Sequence, residues 1–142
     1  MKTNFDILSS ILKTTQMGQV GIRAVNGYAA NTDLKNALED QLQEYNNIEH
    51  EAYAIAATKG WEMNELDPVA KTMSKIYTHT NLKFGRADSK IAAMMIQGNT
   101  RGMIKGLKNL HNCPQKDHRI QALSQKLLDC ENANIKQMQG YL

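Results

Sequence analysis

Apolar residues recur along this chain at three- and four-residue intervals and nowhere alternate with polar ones as a half-buried strand requires. Phe5, Leu8, Leu12, Thr15, Gln19 and Ile22 form one stripe and predict a helix over 6–30 that ends at Asn31. Thr32 is placed to cap a second helix over 32–59, with Leu34, Leu38, Leu42, Tyr45, Glu49, Ala52 and Ala56 inward. It stops at Gly60, where glycine supplies a left-handed residue cheaply. Pro68, at a first helical position, opens a third segment over 68–84. Gly85 breaks it, and Asp88 or Ser89 caps a helix over 88–111 with Ile96, Thr100, Met103, Leu107 and Leu110 in heptad-like spacing. Pro114 opens the last helix, over 115–140, whose stripe is Ile120, Leu123, Leu127, Cys130, Asn134, Met138 and Tyr141.

The 68–84 segment decides the topology. At ~1.5 Å per residue it spans roughly 25 Å, most of the length of a bundle helix, and so acts as a crossover. The expected fold is all-α, a ferritin-like four-helix bundle with an additional crossover helix, in one domain over 1–142. Helices two and four carry an internal echo: shifted by 85 positions, Ala37, Leu38, Leu42 and Glu44 fall on Ala122, Leu123, Leu127 and Asp129.

Composition narrows the class further. A chain of 142 residues, 42% hydrophobic and 22% charged, is long enough to bury a core without disulfide or metal staples. Two cysteines, Cys113 and Cys130, in no metal spacing read as reduced thiols. No apolar run reaches the ~18 residues of a membrane span, and the N-terminus carries no signal-like segment, so a cytoplasmic location without a membrane partner is expected. A net charge of +3 falls short of a nucleic-acid footprint.

A ferritin-like di-metal centre needs carboxylates from two helices and Glu-x-x-His from the other two. Asn47, Ile76, Lys108 and Gln115 stand three residues before His50, His79, His111 and His118, so that motif is missing. His50 falls on an outer face. The inner arcs instead carry Gln19, Glu49, Asn99 or Thr100, and Glu131 with Asn134 at mid-helix, which reads as a buried hydrogen-bonded layer fixing register. Amides are poor ligands for iron or manganese, so no metal, cofactor or catalytic residue is assigned; a reduced site on Glu49 and Glu131 is the alternative.

Gly98, Gly102 and Gly106 lie four residues apart inside MMIQGNTRGMIKGLKNL. Each costs ~1 kcal/mol against alanine within a helix, so close packing should offset them. Gly18 and Gly21 are the candidate counterpart within the chain; a homodimer seam and a small-molecule groove are the other readings. Arg101, Lys105 and Lys108 form a basic stripe that suits a solvated helix C-terminus, with nucleic-acid or anion binding disfavoured because no aromatics interleave. Trp61 is expected to close one end of the bundle.

The helix-two segment LKNALEDQLQEYNNIEHEAYAIAATKGW, closing on Gly60 and Trp61, resembles the corresponding helix of the spore coat protein F family of Gram-positive spore formers. ADSKIAAMMIQGNTRGMIKGLKNL and LSQKLLDCENANIKQMQGYL resemble uncharacterised bacterial ferritin-like bundles. The resemblance implies a four-helix bundle and a structural role in spore assembly. The missing histidines depart from metal-binding relatives. The expected function is therefore a non-catalytic bundle with a structural or protein-interaction role, its partner another protein or a second copy in a homodimer. Its place would be the cytoplasm or the spore.

Overall fold

The computed structural model describes residues 1–64 and 87–142. Among them are four helices and no strand: α1 (Asn4–Asn26), α2 (Thr32–Thr58), α3 (Ala87–His111) and α4 (His118–Gln139). The crossover helix expected over 68–84 lies outside the described residues.

Local chemistry places each boundary. Thr3 opens α1 with a reciprocal capping box, its hydroxyl accepting from the Asp6 N–H while the Asp6 carboxylate accepts from the Thr3 N–H at 2.9 Å. The helix ends at Gly27, short of the expected position 30, because Val25 and Asn26 carbonyls are taken up by turn hydrogen bonds from Tyr28 and Ala29. Asn31, not Thr32, caps α2; its side-chain oxygen accepts from Asp33 and Leu34 N–H at 2.8 and 3.2 Å. An amide oxygen in extended backbone reaches both donors, which leaves Thr32 free to begin the helix. At the other end Trp61 N–H reaches the Ala56 carbonyl and Gly60 N–H the Ala57 carbonyl, with Gly60 at φ +67. That pair of bonds is a Schellman motif and requires the left-handed residue that glycine supplies.

Asp88 does not serve as a cap for its own helix. Its carboxylate accepts from the Ala30 and Asn31 N–H groups at 2.8 and 3.1 Å, pinning the α1–α2 turn to the start of α3. Pro114 likewise does not open α4. Asp117 caps it, accepting from Arg119 and Ile120 N–H at 2.9 and 3.2 Å, because a carboxylate satisfies two orphan donors and proline satisfies none.

Those contacts orient the bundle. The start of α3 meets the end of α1 at Asp88, and Asn4 at the start of α1 bonds the Gln115 carbonyl and the Asp117 N–H beside the start of α4. Lys59, just past α2, pairs with Asp117 at 2.7 Å, and Trp61 stacks edge-on against Phe5 at 5.4 Å. One end of the bundle thus gathers the start of α1, the ends of α2 and α3 and the start of α4. It follows that α2 and α3 run parallel, while α1–α2 and α3–α4 are antiparallel pairs. α1 packs on α2 and α3, α4 packs on α3 and α2, and α2 and α3 sit across the diagonal.

The core is aliphatic: Ile7, Leu8, Leu12 and Ile22 of α1, Leu34, Leu38 and Ile48 of α2, Ile91 of α3, Ile120 and Met138 of α4 are all almost fully buried. Trp61 is half-buried against this cluster. One helix is turned away from its expected phase. On α3 the buried positions are Ile91, Ala92, Met95, Asn99 and Asn109, whereas Leu107 is 44% exposed and Thr100 faces solvent.

Candidate functional site

The turn of α3 follows from what stands opposite it on α4. A Cβ on Gly102 would overlap the Glu131 carboxylate, coming 2.8 Å from Cδ, and one on Gly106 would come 3.2 Å from Leu128 Cδ2. Gly98 differs: among the described residues a Cβ there meets nothing within 4 Å. The three glycines are therefore not one seam. Gly102 and Gly106 receive α4 side chains, and Gly98 faces open space. Nor do they meet Gly18, which instead lies under the Tyr45 ring, its absent Cβ only 2.6 Å from Cε2; Gly21 is open as well.

The glycines thus make room for two buried polar side chains. Tyr45 is 3% exposed and donates its hydroxyl to Asn99 Oδ1 at 2.6 Å. Asn99 donates to the Met95 carbonyl at 2.7 Å, and Asn134 Nδ2 lies 3.5 Å from Asn99 Oδ1. Gln19 donates to Glu49 Oε2 at 3.0 Å. Gln19, Asn99, Glu131 and Asn134 are buried and Glu49 is half-buried, whereas Thr100 stands outside the layer, its exposed hydroxyl donating to the Ile96 carbonyl of its own helix at 2.7 Å. Thr100 sits one residue, or ~100°, around the helix from Asn99, so only one of the two can point inward. Tyr45 belongs to the layer although its residue type disguised it among apolar stripe positions. The signal for it is that a buried phenol must find a hydrogen-bond partner.

Glu131 is the exception to this pairing. It is 1% exposed, and among the described residues its Oε1 has no hydrogen-bond partner. Burial alone pushes its carboxyl up to about 8, so it is predominantly protonated at neutral pH. Burial, then the nearby Glu131 and Cys130, raises the Tyr45 hydroxyl well above the usual phenol range, and burial and Glu44 push the Cys130 thiol up to about 11. Both remain neutral. Cys113 and Cys130 are free thiols. His50, His111 and His118 are exposed, and among the described residues no three His, Cys, Asp or Glu side chains gather where they would hold a metal ion.

Above this layer, α1 and α3 wall an open cleft of about 690 Å³. Tyr45, Asn99 and Glu131 line its floor. Because the two helices are antiparallel, Lys13 of α1 comes opposite Arg101 and Lys105 of α3, while Val25 comes opposite Met94 and Met95. The cleft is basic at one end and apolar at the other. Among the described residues no helix is long and apolar enough to cross a membrane.

Among the described residues, fold and site together define four helices packed around a polar interior layer, with an open inter-helical cleft above it. Compared with protein-family models, characterised proteins and solved structures, the chain matches none.

Proposed function

We propose that this chain is a non-catalytic helical bundle of ferritin-like, one-crossover topology with a structural or protein-interaction role. The observation that carries the reading is the pairing inside the bundle. At mid-helix, where a ferritin-like bundle would hold its metal, Tyr45, Asn99 and Asn134 bond one another across three helices, and Gln19 bonds Glu49 across two. Amides neither titrate nor attack substrates; bonded across helices, they hold register. The parallel course of α2 and α3 favours the one-crossover topology, since helices joined in simple up-and-down order alternate in direction. Association with the spore coat belongs to the same proposal and rests on the resemblance of the α2 segment to the coat family; self-association as a homodimer rests on the α3 glycine stripe, of which Gly98 is left uncovered.

Elemental analysis after reconstitution with iron, manganese or zinc tests it. The expected result is no retained metal in either the wild type or a Glu49→Ala, Glu131→Ala variant. Near-stoichiometric metal in the wild type, lost in that double variant, would overturn the reading in favour of a reduced carboxylate site. Sedimentation equilibrium and immunolocalisation in sporulating cells test the assembly role. A strictly monomeric protein absent from spores would refute it.

A further inference from the structure

We propose that the cleft between α1 and α3 binds a small amphipathic carboxylate, its anionic head at the Lys13, Arg101 and Lys105 end and its apolar chain toward Val25, Met94 and Met95. The cleft has the size of small-molecule sites, which run ~300–1,000 Å³. From Lys13 to Val25 it extends about 18 Å along the helices. Its polarity is graded along that length in the order an amphipathic acid presents. Gly21 and Gly98 leave the walls bare, so a chain can lie directly on the helix backbones.

Glu131 gives the site its specificity. It lies on the cleft floor against Gly102, with an oxygen that no group among the described residues satisfies. Leaving a buried polar atom unbonded is costly, and native proteins seldom do so without a role for it. A protonated carboxyl in that position donates a hydrogen bond to a ligand carboxylate, a short charge-assisted contact. The cations at the mouth then neutralise the same head group. Of the titratable and charged groups around Glu131, Tyr45 of α2 and Cys130 on its own helix are coupled to it, and Lys13 of α1 with Arg101 and Lys105 of α3 line the same cleft.

Isothermal titration of the full chain with decanoate, below micelle concentrations and at constant ionic strength, tests the proposal. One-to-one binding is expected at pH 6.5. With Glu131 titrating at about 8, a site that needs its proton loses roughly 30-fold in affinity by pH 9.5. Glu131→Gln keeps a neutral donor and should bind with nearly the same affinity at both pH values. Gly21→Leu projects into the cleft without meeting protein at its Cβ, and should abolish binding while the thermal midpoint is maintained. Phosphatidylglycerol vesicles should not bind, which separates a free acid from an anionic lipid surface. The proposal is overturned if folded wild-type protein takes up no decanoate at millimolar concentration, binds it equally at the two pH values, prefers decyltrimethylammonium, binds only vesicles, or binds decanoate unchanged after Gly21→Leu.

Discussion

Replacing Glu131 by glutamine should make the protein more stable, and increasingly so as pH rises. In the folded state the carboxyl titrates at about 8 against an ordinary 4.5, so between those values the native protein binds a proton that the unfolded chain releases. Stability therefore falls as pH climbs through that window and levels off above it. Integrating the linkage gives a destabilisation of about 1 kcal/mol at pH 5, about 3 kcal/mol at pH 7 and nearly 5 kcal/mol at pH 8.5. Glutamine has almost the same volume under Gly102 and never ionises, so it escapes this cost at every pH. Urea unfolding followed by circular dichroism at 222 nm, for wild type and Glu131→Gln at the three pH values, measures the difference directly. The expected gap between the two proteins widens by about 4 kcal/mol from pH 5 to 8.5. A gap that stays flat over that range would show that Glu131 is ionised or hydrated in the folded protein, and the account of the cleft floor would fail with it.

Gly98→Ala should raise stability by about 0.5–1 kcal/mol, because the helix gains propensity and the new methyl meets nothing. Gly102→Ala should lower it by about 1–2 kcal/mol, the overlap with Glu131 exceeding the same propensity gain; chemical denaturation of the pair gives both signs in one experiment, and equal effects at the two sites would contradict the packing described. Tyr45→Phe removes the donor to Asn99 and should cost about 1–2 kcal/mol by the same measurement. Asp117→Ala should cost about 1 kcal/mol through loss of the α4 cap. The Lys59 ammonium and the Ile120 N–H hold the Asp117 carboxyl below the usual range. Its contribution is therefore present at neutral pH and lost in acid, so the wild type and variant should converge as pH falls through that lowered value.

The all-helical class, the long helices and the stop at Gly60 were legible in the sequence, because spacing of apolar residues and backbone freedom are local properties. The stripes on α2 and α4 were legible for the same reason: Leu34, Leu38, Ile120 and Leu127 are core residues under any packing of these helices. Capping was only half legible. Asn31 and Thr32 compete for one position, as do Pro114 and Asp117, and the winner depends on which oxygen reaches two N–H groups in the folded turn. The face that α3 buries was not legible, since a hydropathy stripe assigns glycine no direction and drew the helix toward Met103 and Leu107. Only the approach of α4 decided it. Glu131 and Leu128 need the space that Gly102 and Gly106 leave, and that need turns Asn99 inward toward Tyr45, Thr100 outward, and opens the cleft above them.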